Sequence, residues 1–154
     1  MKELHISSLE DMKYLATKIG HSLQTPPNTL TLLLEGDLGA GKTTFTKFLA
    51  DAMGCQDWVN SPTYTIIQHY QCPEIKLVHM DLYRIQNESE IELLDLFHYI
   101  KDPQILCVIE WANKLGSLLP NHYLKIDCQL QDQTHRQLKL TASGESAIAL
   151  MHTL

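Results

Sequence analysis

Only two arginines, Arg84 and Arg136, occur in the 154 residues, and 12 lysines and arginines against 18 acidic side chains leave a net charge of −6. A surface so poor in clustered cations does not neutralise a phosphate backbone, which argues against a protein that holds nucleic acid by itself. Any RNA involvement is expected to pass through a partner. The shortage of arginine also weighs against a small-molecule kinase that closes a lid over transferring phosphate, because the guanidinium fork is the side chain that matches phosphate oxygens. The four cysteines, Cys55, Cys72, Cys107 and Cys128, show no C-x-x-C spacing. Two of them, Cys107 and Cys128, fall in apolar runs, and all four are expected to be reduced core residues. The eight histidines show no H-x-x-x-H spacing, so His69 and His79 read as strand residues and no zinc site is expected. No apolar run approaches the length of a membrane span, and the opening Met1-Lys2-Glu3-Leu4-His5 has no apolar stretch behind it; a cytoplasmic protein is expected. Repeats and low-complexity segments are absent. With 44% hydrophobic residues, one domain over residues 1–154 is expected around one core.

What is present is organised around Gly36-Asp37-Leu38-Gly39-Ala40-Gly41-Lys42-Thr43, which fits G-x-x-x-x-G-K-[ST]. Glycines let the backbone curl so that successive N–H groups face phosphate oxygens, and a helix starting near Lys42 adds the positive end of its dipole. Lys42, facing solvent on its loop, reaches the β and γ phosphates; Thr43 offers a hydroxyl to Mg²⁺, a hard cation that takes oxygen ligands. The context is right for the motif, since residues 30–34 read as a buried strand and residues 44–53 as a helix.

The rest of the chain reads as an α/β alternation. Residues 2–6 form a short strand, and Ser7 or Ser8 with Glu10 or Asp11 opens a helix whose apolar stripe is Leu9, Met12, Ala16, Ile19 and Leu23. Thr25-Pro26-Pro27-Asn28 ends it. The helix after the phosphate loop turns Phe45, Phe48, Leu49, Ala52 and Met53 inward and stops at Gly54. Ser61-Pro62-Thr63 is a loop feeding a strand over 64–70, and a second strand over 75–81 follows after too few residues for a parallel crossover, so the two form an antiparallel hairpin. The sheet is therefore mixed. Asn87-Glu88-Ser89-Glu90 starts an acidic helix carrying Ile91, Leu93, Leu94 and Leu96 inward. Residues 105–109 are a continuous apolar run, typical of a strand buried on both faces. Leu124, Ile126, Cys128 and Leu130, then Leu138 and Leu140, alternate as a terminal hairpin, and residues 145–154 are a helical or frayed tail.

Phosphate chemistry needs a second acid at a strand end, and Asp81 and Glu110 both close apolar runs. Glu110 follows the more deeply buried one, which places it near the metal, with Asp81 close by as a positioner of water. Arg84 either contacts phosphate or a partner's acidic surface, or ties down its own loop through Glu88 or Glu90. A GTPase is not indicated, because Asn113-Lys114-Leu115-Gly116 and Asp81-Leu82-Tyr83-Arg84 complete neither N-K-x-D nor D-x-x-G. An ATPase and a nucleotide-gated binding module both remain compatible with these residues.

Four ordered motifs carry a more specific likeness: the phosphate loop continued by Thr44-Phe45, then Ser61-Pro62-Thr63-Tyr64, His79-Met80-Asp81-Leu82-Tyr83-Arg84, and Ile109-Glu110-Trp111. Together they resemble the TsaE (YjeE) family, the ATPase component of bacterial tRNA threonylcarbamoyladenosine (t6A) synthesis. The resemblance runs from the first helix to the final hairpin and departs after Trp111, where Ala112-Asn113 stand in place of a proline or charged residue. It implies an α/β fold of the P-loop NTPase type, a three-layer sandwich around a mixed parallel and antiparallel sheet. It also implies ATP and Mg²⁺ as cofactors and TsaD and TsaB as partners, with tRNA met only through the assembly. Carried over by position, Gly36, Asp37, Leu38, Gly39, Ala40, Gly41, Lys42, Thr43 and Thr44 bind nucleotide, and Thr43 and Glu110 hold the metal. In the same way Lys42, Asp81 and Glu110 serve catalysis, Ser61 and Thr63 form a switch-like loop, and Trp111 lies by the nucleotide, with core packing as its other reading.

Overall fold

The computed structural model describes residues 1–23, 30–56 and 59–154. The segment Thr25-Pro26-Pro27-Asn28, expected to end the first helix, lies outside the described residues. Leu32, Leu33 and Leu34 are each buried in β2 (Thr31–Gly36), because this strand sits in the middle of a seven-stranded sheet and is covered on both faces. β2 runs parallel to β5 (Ile105–Glu110) on one side and to β6 (Tyr123–Leu130) on the other. Beyond β5 come β4 (Lys76–Asp81), parallel, and β3 (Ile67–Gln71), antiparallel; beyond β6 come β7 (Arg136–Ser143) and β1 (Lys2–Ile6), both antiparallel. The expected hairpins and the mixed sheet are thus present.

Helices cover the two faces. The helix α1 (Leu9–Ser22) starts at the Ser8 cap, whose hydroxyl accepts from the Asp11 N–H while the Asp11 carboxylate accepts from the Ser7 N–H, a reciprocal box. Met12, Leu15, Ala16 and Ile19 face the core, whereas Leu9, placed in the stripe by spacing, is 62% exposed. It packs with α2 (Lys42–Ala52) and the C-terminal α5 (Glu145–Thr153) against the side chains of Leu32, Leu34, Val108, Leu124 and Leu140. The opposite face of β2, β4 and β5 is covered by α3 (Glu88–Glu92), α4 (Leu96–Lys101) and a 3-10 segment (Ala112–Leu118) kinked at Gly116. The acidic helix expected after Asn87 is in fact broken in two: Asp95 takes a left-handed φ of 52°, and Leu93, read as inward, is 85% exposed. No helix among the described residues is long and apolar enough to cross a membrane.

Two readings need correction here. Cys55 and Cys72, expected as reduced, form a disulfide that ties the chain just beyond α2 to the link between β3 and β4. Spacing was uninformative because the two meet only once the hairpin is laid against the end of the helix. Cys107 and Cys128 are free and buried as expected, and burial pushes their thiols up to about 12 and about 11, so neither carries thiolate at neutral pH. The strand expected over 64–70 begins only at Ile67, because residues 63–65 form a turn, closed by the Ile66 N–H donating to the Pro62 carbonyl. Ile66 itself has a φ of 66°.

Candidate functional site

The carboxyl ends of β2, β4 and β5 face one way, which is where an open parallel sheet places its ligand crevice. Register sets Asp81 and Glu110 side by side on adjacent strands, and Leu34 of β2 beside Glu110. The phosphate loop follows β2 directly. Gly41, at a φ of 108°, caps α2, so the helix starts at Lys42, and Gly41, Lys42, Thr43 and Thr44 at its N-terminus line the crevice. Gly36 has a φ of 129°, and a Cβ there would lie 2.3 Å from the carbonyl oxygen of Cys128. Gly36→Ala is therefore expected to cost at least ~3 kcal/mol in urea unfolding, since it combines a strained backbone with a clash against an atom fixed in the sheet.

A cavity of about 240 Å³ gathers Leu38, Gly39, Gly41, Lys42, Thr43, Thr44, Ser61, Thr63, Asp81, Glu110 and Trp111 from the expected set, and adds Tyr83. Gly36, Asp37 and Ala40 do not line it. The carbonyls of Gly36 and Asp37 instead accept from the Lys42 ammonium at 2.7 and 2.8 Å, and the Ala40 carbonyl accepts from Arg136 Nε at 3.0 Å. Lys42, expected to face solvent, is only 6% exposed, with its ammonium 4.1 Å from the centre of the Trp111 ring. Burial pulls its pKa below the ordinary lysine value, and the nearby Glu110 and Asp81 carboxylates oppose that shift.

The hydroxyl of Thr43 donates to Glu110 Oε1 at 2.8 Å, so the two groups read as metal ligands are in direct contact. Asp81 is held by other partners: Thr63 Oγ1 donates to its Oδ2 at 2.7 Å, Ser61 Oγ to the same oxygen at 3.2 Å, and the Tyr83 N–H to Oδ1 at 2.9 Å. The loop containing Ser61 and Thr63 is thereby tethered to the strand end. This tether explains the turn found where a strand was expected, because the Thr63 hydroxyl is used on Asp81. Trp111 is half-buried against the core, and it also borders the cavity. Arg84 does not tie down its own loop through Glu88 or Glu90: its guanidinium stacks on the Tyr64 ring at 4.3 Å, while Glu88 accepts from the Ser117 hydroxyl and Glu90 from Asn87 Nδ2.

Sequence reasoning missed two residues. His79, read as a plain strand residue, is fully buried with Nε2 2.8 Å from Glu110 Oε1. Arg136 clamps the phosphate loop from behind and lines a second cavity of about 460 Å³ with Ser7, Ser8, Met12 and Gln133. Gly39, Gly41 and Thr44 border both cavities, so the two adjoin across the loop. A histidine placed in an otherwise apolar run, two positions before a strand-end acid, was the one available signal for the first. For Arg136 there was none, because its contact with Ala40 joins residues far apart in the chain.

Oxygen donors from Thr43, Glu110 and Asp81 suit a hard divalent cation, and a buried ammonium at a helix N-terminus suits a polyphosphate, so the residues present fit Mg²⁺ and a nucleotide. Comparison with known proteins identifies the family. The family described as "Threonylcarbamoyl adenosine biosynthesis protein TsaE" matches residues 6–138. A relative from Bacillus subtilis, named "tRNA threonylcarbamoyladenosine biosynthesis protein TsaE", is 42% identical over 136 residues, 88% of this chain and 82% of its own. One of the same name from Haemophilus influenzae is 35% identical over 113 residues, covering 73% of this chain and 70% of its own. The crystal structure of Bacillus subtilis YdiB superimposes with a TM-score of 0.78 at 32% identity, covering 99% of this chain and 92% of that one. The shared α/β architecture and the match over nearly the whole chain lead to one conclusion: this protein belongs to the TsaE family.

Proposed function

We propose that the chain binds ATP with Mg²⁺ and hydrolyses it in support of tRNA threonylcarbamoyladenosine synthesis, acting with TsaD and TsaB, which carry out the modification of the adenosine beside the anticodon. The observation that carries the nucleotide reading is the contact of Thr43 with Glu110 at 2.8 Å beside the buried ammonium of Lys42. Lys42 and the N–H groups at the start of α2 take the phosphates. Thr43 and Glu110 hold the metal, directly or through water, and bound Mg²⁺ supplies charge neutralisation to the phosphate oxygens. Asp81, held by Thr63, Ser61 and the Tyr83 N–H, orients the attacking water. The adjoining 460 Å³ cavity has room for the base and ribose. Chemistry on tRNA belongs to the partners, in keeping with a chain of net charge −6.

Two substitutions test the division of labour between the acids. Glu110→Gln keeps the shape of the side chain and removes its charge, so Mg²⁺-dependent hydrolysis is expected to fall by ~10² or more, with nucleotide affinity changed far less. Asp81→Asn is expected to lower turnover and leave the Mg²⁺ dependence in place. Normal hydrolysis by Glu110→Gln, together with loss of Mg²⁺ dependence in Asp81→Asn, would reverse the two roles. For the pathway, nucleoside analysis of tRNA after depletion of the protein should show loss of t6A.

A further inference from the structure

We infer that His79 is a positioning residue for Glu110: its Nε2 donates to Oε1 and so fixes which carboxylate oxygen is presented to the Mg²⁺–nucleotide. This rests on the nucleotide reading of the site and adds to it a residue to which the metal and phosphate contacts assign no role. The two side chains come from adjacent parallel strands, where His79 is paired with Val108 and Asp81 with Glu110. Glu110 leans back along its strand to reach a ring two residues before its own register partner. His79 is 0% exposed and Glu110 3%, so the contact is closed to solvent.

The chemistry of the pair decides the direction of the bond. A carboxylate only accepts, so Nε2 carries the hydrogen. Nδ1 is the buried side-chain nitrogen that finds no hydrogen-bond partner among the described residues. A half-satisfied ring is an expensive occupant of a strand whose neighbouring positions, Leu77, Val78 and Met80, are apolar and buried. Its presence points to the work done by the other nitrogen. That work becomes clear from the sharing of Oε1, which takes both the Thr43 hydroxyl and His79 Nε2 at 2.8 Å. With the Thr43 oxygen turned to a cation, the bond from His79 would still hold Glu110. Partners of this kind, behind a metal-ligating group, commonly govern metal affinity and activity by 10–100-fold.

The test uses His79→Leu, which removes the donor and keeps the core apolar, and His79→Gln, which offers an amide N–H. ATP binding is titrated in EDTA and then with increasing Mg²⁺, with melting curves recorded alongside. For His79→Leu, binding in EDTA should match the wild type, while the Mg²⁺ midpoint for tight binding rises roughly 10–100-fold. His79→Gln should recover most of that loss. A purely structural role would instead weaken binding equally in EDTA and Mg²⁺, and that parallel loss, or an unchanged Mg²⁺ midpoint, overturns the proposal. Should His79→Leu fail to fold, ¹⁵N NMR of the wild-type histidine decides: a ring protonated at Nε2 is expected, and protonation at Nδ1 alone overturns it. A wild-type protein that binds ATP with no response to Mg²⁺ sinks the metal reading along with this one, whereas a normal wild type with a silent His79→Leu sinks the positioning role alone.

Discussion

Replacing Lys42 by alanine is expected to remove ATP binding by two orders of magnitude or more while the chain still folds. Lys42 is the one cationic side chain among the described residues lining the 240 Å³ cavity, and it is buried, so its attraction for phosphate is little screened by water. Truncating one side of a desolvated charge pair costs about 3–5 kcal/mol, which at ~1.4 kcal/mol per decade gives the stated loss. The effect on folding is smaller because two terms oppose each other. Losing the ammonium leaves the Gly36 and Asp37 carbonyls without their donor, yet it also removes a charge that burial has already disfavoured, as its lowered pKa shows. Calorimetric titration with ATP, paired with a thermal melt, checks both halves. A folded Lys42→Ala protein with wild-type affinity would remove the phosphate-loop assignment.

The parts of this molecule that could be read from its sequence are those encoded in local order. The phosphate loop is eight consecutive residues, the box at Ser7, Ser8 and Asp11 spans one helical turn, and the hairpin of β3 and β4 follows from a link too short to cross over. The strand-end acids were legible for the same reason, since each closes its own apolar run. What was not legible depends on register between strands distant in sequence. His79 meets Glu110 because β4 and β5 lie side by side, and Arg136 reaches Ala40 because β7 returns behind the loop. The same holds for the disulfide of Cys55 and Cys72 and for the turn at Thr63, where a tertiary hydrogen bond to Asp81 outweighs the β-propensity of the segment. Lys42 was placed in solvent because the motif says nothing of the Trp111 ring, which comes from the end of β5 to cover it.

Turnover by the isolated protein is expected to be slow and to rise steeply when TsaD, TsaB and tRNA are added. Among the described residues, the charges facing the cavity are one lysine against the two carboxylates Asp81 and Glu110. Phosphoryl transfer spreads negative charge over the equatorial oxygens and depends mainly on electrostatic stabilisation, which this set supplies poorly even with a divalent cation bound. Neither arginine is placed to help: Arg84 is stacked on Tyr64, and Arg136 is held by the carbonyls of Ala40 and Thr134 behind the loop. A cation delivered in trans is worth about 10³–10⁵ in rate, so even a partly effective one would dominate the kinetics. A partner can act in another way, by closing the Ser61 and Thr63 loop over the nucleotide, and the tether from Thr63 to Asp81 separates the two routes. Steady-state hydrolysis should be measured for the wild type and for Thr63→Ala, each alone and with purified partners. Fast turnover alone, unchanged by partners, would favour a free-standing ATPase or kinase. Stimulation that survives in Thr63→Ala points to a charge supplied by the partner, and stimulation that disappears with the tether points to loop closure.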